Sequence, residues 1–137
     1  MTLFEWGPKY QLGLENIDSQ HKILVDLINK TYEMIMSGEK TVYKEILLEL
    51  IEYSKMHFTY EETIFEKINY QEKEQHSKAH QDFALEISRL VEEMEKPNTS
   101  QEIALSSLLL FLKNWLIKHI LEEDKRYVDL FLKNKEG

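Results

Sequence analysis

The sequence contains no cysteine, and only two prolines and four glycines occur among its 137 residues. Without cysteine the chain can form no disulfide, thiolate metal site or iron–sulfur cluster, and it has no cysteine nucleophile. The scarcity of proline and glycine leaves few helix breakers, which favours long helices. A chain of 137 residues is long enough to bury its own core. We therefore expect a single domain over residues 1–137.

Basic clusters and long apolar stretches are missing as well. The chain has 25 acidic and 17 basic residues. No run of lysine or arginine forms a patch, so nucleic acid and anionic membranes are poor partners. The longest apolar stretches, such as residues 108–112, are far too short to span a membrane. The N-terminus lacks the basic and apolar regions of a signal peptide, and we expect a cytoplasmic protein.

Helical patterns with an apolar face follow a broken N-terminal arm, which covers residues 1–17. The predicted helices run from Asp18 as N-cap to just before Gly38, from about Thr41 to Ile68, over about 72–95, onward from a capping box at 99–102, and from Tyr127 to Leu132. Amphipathic helices joined by short loops predict an all-α fold. The expected architecture is an antiparallel up-down-up-down four-helix bundle with a short C-terminal helix, over residues 18–133.

The histidines lie on the apolar faces of these helices. Every helix of the bundle contributes at least one, and the five are His21, His57, His76, His80 and His119. A single histidine on such a face is usually a core residue with a hydrogen-bonded ring. Burying five imidazoles without partners would cost on the order of a few kcal/mol each. A metal ion supplies a partner for all of them at once.

Helical spacing adds a carboxylate to this set. Glu61 follows His57 by four residues, and His80 follows His76 by four. Each pair therefore projects from one helix face, about one turn apart. Either pair alone is weak evidence for a metal site. Together with the histidines of the other two helices, the pairs indicate a metal centre inside the bundle.

Asp124 is harder to place from spacing alone. It follows His119 by five residues, which is about 140° around an ideal helix. The simpler interpretation is that Asp124 belongs to the solvated charged run 122–126. For Asp124 to point inward, the backbone would have to bend or break between Ile120 and Asp124.

Four segments carry a resemblance to a known family: 17–21 (IDSQH), 57–62 (HFTYEE), 76–80 (HSKAH) and 115–119 (WLIKH), continuing to Asp124. Over nearly its whole length the chain resembles the hemerythrins, and especially the single-domain bacterial ones. The resemblance reverses the interpretation of Asp124, whose position matches the last ligand of the family. The implied metal ligands are His21, His57, Glu61, His76, His80, His119 and Asp124. Phe65 stands where related bacterial chains often carry methionine, and we expect it to be core packing.

The resemblance implies reversible binding of dioxygen, for storage, delivery or sensing, and no enzymatic activity. The implied cofactor is two non-haem iron ions joined by an oxo or hydroxo group, with Glu61 and Asp124 bridging them. Three histidines (His76, His80 and His119) would hold the saturated iron, and His21 and His57 the iron with an open position. A dry pocket would be lined by Leu24, Phe58, Trp115, Leu116 and Ile120, with Leu116 against the bound dioxygen.

Other functions stay open at this point. Five imidazoles with two carboxylates suit iron, zinc or manganese, and iron is preferred only through the resemblance. A di-iron oxidase, a peroxidase or a nitric-oxide-handling enzyme is the first alternative, although ferritin-like sites use carboxylate-rich Glu-x-x-His motifs. A sensor or an iron reservoir with a separate redox or signalling partner is the second. A metal-free interaction module would not explain five inward histidines.

Overall fold

The computed structural model describes residues 3–37, 43–97 and 100–136, with the backbone alone for 43, 44, 101 and 134–136. The helices are α1 (Glu15–Met36), α2 (Tyr43–Ile68), α3 (Lys73–Glu95), α4 (Gln101–Lys118) and α5 (Lys125–Glu136), with a π-helical segment, His119–Asp124, between α4 and α5 and a 3-10 turn at Pro8–Tyr10. No strand occurs among these described residues. Helix α1 packs against α2 and α4, and α3 packs against the same two helices. The predicted all-α four-helix bundle is confirmed.

The start of α1 differs from the prediction that Asp18 is its N-cap. The helix begins at Glu15, one turn earlier, and its N-cap Leu14 contributes no side-chain bond. The Asp18 carboxylate instead accepts the backbone N–H groups of Leu12 (2.7 Å) and Gly13 (3.1 Å). Asp18 therefore ties the arm to the first helical turn, where a negative charge is also favoured by the helix dipole.

The other predicted helix boundaries within the described residues agree with the structure to within a few residues, except at the C-terminal helix. Gly38, Thr41, Asn98 and Thr99 lie outside the described residues. The N-cap of α4 is Ser100, whose side chain accepts the backbone N–H of Ile103. The C-terminal helix is longer than predicted because it continues from α4 through the π-helical segment without a break.

The core consists of two hydrophobic clusters. Helices α1 and α2 contribute to both, α3 and α4 contribute to the first, and α5 contributes to the second. The first contains Leu24, Phe58, Phe83 and Leu116 among its members. The second is formed by Ile17, Ile64, Phe65, Tyr70, Tyr127 and Val128. On α1 and α2 the histidine lies between a residue of one cluster and a residue of the other, and His119 lies between Leu116 of the first and Tyr127 of the second. On α3 the two histidines precede Phe83 of the first cluster. Antiparallel packing thus brings the histidines together in a polar layer between two apolar ones.

The N-terminal arm closes one side of the first cluster. Phe4 and Tyr10 are buried in this cluster, and their rings lie 5.2 Å apart. The side chain of Asn29 accepts the Phe4 N–H (2.9 Å) and donates to the Phe4 carbonyl (2.8 Å). These two bonds satisfy both backbone groups of a buried residue, which fixes the arm on α1.

The continuous helix Glu102–Lys133 is long and apolar enough to cross a membrane by length and composition. Core helices of water-soluble bundles pass the same test. In this chain, Leu105, Leu109 and Leu112 of that helix are buried in the first hydrophobic cluster. The expectation that the chain has no membrane partner stays a prediction.

Candidate metal centre

The seven residues expected as metal ligands converge in the polar layer between the two hydrophobic clusters. All seven are buried, with at most 5% of their surface exposed: His21, His57, Glu61, His76, His80, His119 and Asp124. Helix α1 contributes one, α2 and α3 two each, and the π-helical segment two. The charged side chains on the helix surfaces are solvated by water. These seven are not, and buried ionisable groups require other partners.

The ligand atoms form two overlapping groups. In the first, which we call the three-histidine group, Glu61 meets His76, His80 and His119. In the second, the two-histidine group, the same Glu61 meets His21, His57 and Asp124. Within each group the ligand atoms lie within 4.8 Å of one another. The arrangement could hold two ions side by side, with Glu61 common to both.

The π-helical segment explains how Asp124 reaches the centre. The N–H of Lys125 donates to the carbonyl of Ile120, five residues earlier. Each turn therefore holds an extra residue, and a side chain five positions on returns to the same face. Asp124 Oδ1 lies 2.9 Å from His119 Nε2 and 3.0 Å from His76 Nε2. Its other oxygen, Oδ2, lies 2.9 Å from His21 Nε2, so this carboxylate touches both groups.

The Glu61 carboxylate presents one oxygen to both groups and shares the other with a tyrosine. Oε1 lies 3.3 Å from His57 Nε2 and 3.3 Å from His80 Nε2. Oε2 accepts a short hydrogen bond from the buried Tyr127 hydroxyl. Because a carboxylate oxygen has two lone pairs, Oε2 can accept this bond and still face an ion.

Two histidines have their outer ring nitrogens hydrogen-bonded by neighbouring side chains. His57 Nδ1 donates to the Gln20 amide oxygen (2.7 Å), and His119 Nδ1 donates to Glu123 Oε2 (2.9 Å). With the proton held on Nδ1, the Nε2 lone pair of each ring points to the centre. Partners of this kind orient the imidazoles of metal sites.

The electrostatics of these seven residues favour ionised carboxylates. Burial opposes the charge of Glu61, but the neighbouring rings of His57, His119 and His80 outweigh burial and hold the pKa of Glu61 well below its usual value. Burial and Glu61 itself oppose the charge of Asp124, yet His119 and His21 lower the pKa of that carboxyl as well. Anionic oxygens are what cationic metal ions require of their ligands.

The histidine pKa values depend on the carboxylates nearby. Burial disfavours the charged ring of His119, but Asp124, Glu123 and Glu61 outweigh it and raise the pKa of His119 well above its usual value. Burial dominates at His80 and lowers the pKa of that ring. A neutral His80 offers a free lone pair to an ion.

Unsatisfied polar atoms show that the residues present fit a metal. Several buried atoms of the centre have no hydrogen-bond partner, among them both nitrogens of His21, His57 Nε2, Glu61 Oε1 and both oxygens of Asp124. His21 Nε2 lies 2.9 Å from Asp124 Oδ2, and His57 Nε2 lies 3.3 Å from Glu61 Oε1, but neither contact satisfies hydrogen-bond geometry. Orphaned buried groups are costly unless a bound ion satisfies them.

Apolar side chains cover the histidine rings. The Phe58 ring stacks on His80 at 4.0 Å, and the Trp115 ring stacks on His119 at 4.3 Å. Phe65, which was expected as core packing, is buried with its ring 4.6 Å from that of His76. Leu24, Leu116 and Ile120 are buried in the same hydrophobic cluster as Phe58, with Trp115 packed against it. The expected dioxygen pocket residues thus share one cluster, and their role stays a prediction.

Three further residues bond to the expected ligands without having been predicted from the sequence: Gln20, Glu123 and Tyr127. Glu123 follows His119 by four residues and Tyr127 follows Asp124 by three, so helical spacing could have suggested both. Gln20 gave no such signal, because it lies on α1 and its partner His57 lies on α2.

Comparison with known proteins agrees with this geometry. Residues 12–131 match the model of the hemerythrin HHE cation binding domain. A bacteriohemerythrin of Clostridium acetobutylicum is 30% identical over 132 residues, which cover 93% of this chain and 100% of the relative. A bacteriohemerythrin of Pseudomonas aeruginosa is 32% identical over 129 residues, covering 94% of this chain and 82% of the relative.

A solved structure supports the same assignment. It is the crystal structure of a leucine-to-phenylalanine mutant, 26% identical in sequence, with a TM-score of 0.81. The superposition covers 94% of this chain and 97% of the other. Because the family model spans most of the chain and the ligand layer lies within the matched segment, the chain belongs to the hemerythrin family, a family of proteins that bind non-haem iron.

Proposed function

We propose that this chain binds dioxygen reversibly at a pair of non-haem iron ions. The ligands would be His21, His57, Glu61, His76, His80, His119 and Asp124. The observation that carries the proposal is the sharing of Glu61 between two buried ligand groups. One ion cannot use all seven ligands, whereas two neighbouring ions with a common carboxylate can.

The unequal number of imidazoles suggests where dioxygen would bind. The two-histidine group offers one imidazole fewer than the three-histidine group. We therefore place the open coordination position there. When bound, ferrous iron supplies that position and the electrons that dioxygen accepts.

The surrounding side chains would keep water and protons away from this position. Leu24, Leu116 and Ile120 are buried, and Phe58 and Trp115 cover ligand rings. A site closed to water protects a reactive state from side reactions and from proton leakage. The role of the protein is then to bind, orient and shield, with no side chain acting as acid or base.

The ligand set favours binding over oxidation chemistry. Ferritin-like di-iron enzymes combine four glutamates with two histidines. This centre has five imidazoles and two carboxylates, and neutral nitrogen donors stabilise ferrous iron better than added carboxylates do. An oxidase, a peroxidase or a nitric-oxide-handling enzyme is therefore the second candidate.

Metal content and an absorption spectrum over repeated oxygen cycles test the proposal. The reduced protein should contain two iron ions per chain and develop a visible absorption band in air. That band should disappear under argon and return in air over several cycles. Permanent oxidation in the first cycle would support an oxidase instead. A chain purified from iron-rich medium without a pair of metal ions would refute the proposal.

Shortening Leu116 should make the oxygenated state decay faster. Leu116 is buried three residues before His119, so alanine would open a cavity near the centre and admit water. We expect Leu116→Ala to cost about 2–5 kcal/mol of stability and to speed autoxidation in stopped-flow spectroscopy. Leu112→Ala is the matched control, because Leu112 is equally buried one turn further away. Equal autoxidation rates in the two variants would contradict the assignment of Leu116.

A further inference from the structure

The outer hydrogen bonds of the two ligand groups differ in charge. In the three-histidine group, His119 Nδ1 donates to the carboxylate of Glu123 at 2.9 Å. In the two-histidine group, His57 Nδ1 donates to the neutral amide of Gln20 at 2.7 Å. Both bonds keep the ring in the same tautomer, but only the first places a negative charge behind the ligand.

Two carboxylates of the π-helical segment approach the same imidazole. Glu123 meets the outer nitrogen of His119, and Asp124 Oδ1 meets the inner nitrogen at 2.9 Å. One imidazole is thus held between two carboxylates from adjacent positions. The outer nitrogen of His57 meets a neutral amide, and those of His21 and His80 have no hydrogen-bond partner among the described residues.

We propose that Glu123 makes the two metal positions unequal, so that the three-histidine group takes up a divalent cation first and the two-histidine group fills second. This inference rests on the proposed pair of metal ions and adds an order of binding to it. Glu123 is a positioning residue in this scheme, since it acts through His119 and does not touch the ion.

The physical cause is the basicity of the imidazole. A carboxylate that accepts the Nδ1 proton increases the electron density at Nε2, which strengthens the bond from Nε2 to a cation. Loss of such an outer partner typically weakens metal binding about 10- to 100-fold. The Glu123 side chain is 32% exposed, so solvent screens part of its charge and the lower end of that range applies. The neutral Gln20 orients the His57 ring but does not increase the electron density at its Nε2.

Titration of the metal-free full-length chain with cobalt(II) tests the order of binding. Cobalt(II) reports on its ligands by visible absorption, and the readout does not depend on oxygen binding. We expect two separate binding steps in the unmodified chain. His80→Ala should remove the tighter step, and His21→Ala should remove the weaker one.

Three substitutions that each change a single charge test the role of Glu123. Glu123→Gln keeps an acceptor for His119 Nδ1 but loses the charge. The cobalt affinity of the tighter step should therefore fall about tenfold, and the affinity of the other step should not change. Glu122→Gln is the matched control, because Glu122 is an exposed neighbour in the same segment and should change neither step. Gln20→Glu should tighten the weaker step, through a carboxylate behind His57.

The outcomes separate this inference from the proposed function. If the unmodified chain binds two cobalt ions but Glu123→Gln behaves like Glu122→Gln, the inference is wrong and the metal pair stands. Loss of the weaker step in His80→Ala would equally overturn the order of binding. If the unmodified chain binds fewer than two ions, the proposed metal pair fails and the inference fails with it.

Discussion

Replacing Glu61 by glutamine is expected to reduce the metal content of the chain from two ions to one at most. Glu61 is shared by both ligand groups, so its loss removes a ligand from each position at once. Glutamine keeps the shape and an oxygen for the Tyr127 hydroxyl, which confines the change to charge and ligand strength. Elemental analysis of the purified variant gives the metal content directly.

The neighbouring residue provides the control for this experiment. Glu62→Gln makes the same chemical change one position away, on a half-exposed side chain outside both ligand groups. It should retain two ions per chain. Circular dichroism of both variants separates metal loss from unfolding. A folded Glu61→Gln variant with two tightly held ions would show that this carboxylate is not shared between the metals.

Removing the metal ions should lower the melting temperature by roughly 20 °C or more. An ion present at 1,000 times its dissociation constant stabilises the folded state by about 4 kcal/mol, so two ions contribute about 8 kcal/mol. For a domain of this size, each kcal/mol shifts the melting temperature by roughly 3 to 5 °C. The orphaned atoms of the centre also predict a loss of stability without metal, because no hydrogen-bond partner in the described structure satisfies them.

Calorimetry with and without a strong chelator measures this effect. The Glu61→Gln variant should show a much smaller shift on chelation, because it has fewer ions to lose. Equal melting temperatures for the loaded and chelated chains would mean that the buried histidines are stable without metal. That result would favour a metal-free core over a metal centre.

Most of the candidate site could be predicted from residue spacing. His57 with Glu61 and His76 with His80 are four apart on long helices, and the geometry of a helix alone places each pair on one face. The apolar residues around them then determine which face is buried. The face on which a side chain lies, and whether that face is buried, can therefore be predicted from the sequence of one helix alone.

The errors in the prediction arose where a residue interacts outside regular helix geometry. Asp18 was taken as an N-cap, but its carboxylate bonds backward to the arm at Leu12 and Gly13. For Asp124, α-helical spacing favoured an exposed side chain, whereas the resemblance to the hemerythrins indicated the buried position that the structure has. The π-helical segment supplies the physical reason, because an extra residue in the turn rotates Asp124 onto the face of His119.

The sequence by itself determined the four amphipathic helices, the burial of the five histidines and the spacing that pairs ligands within a helix. Only the tertiary structure decided which oxygens approach which rings, and that Gln20, Glu123 and Tyr127 bond to the ligands. The reason is that the position of a side chain on its helix follows from 3.6 residues per turn. Contacts between helices, and the one wide turn, depend on how the whole bundle packs.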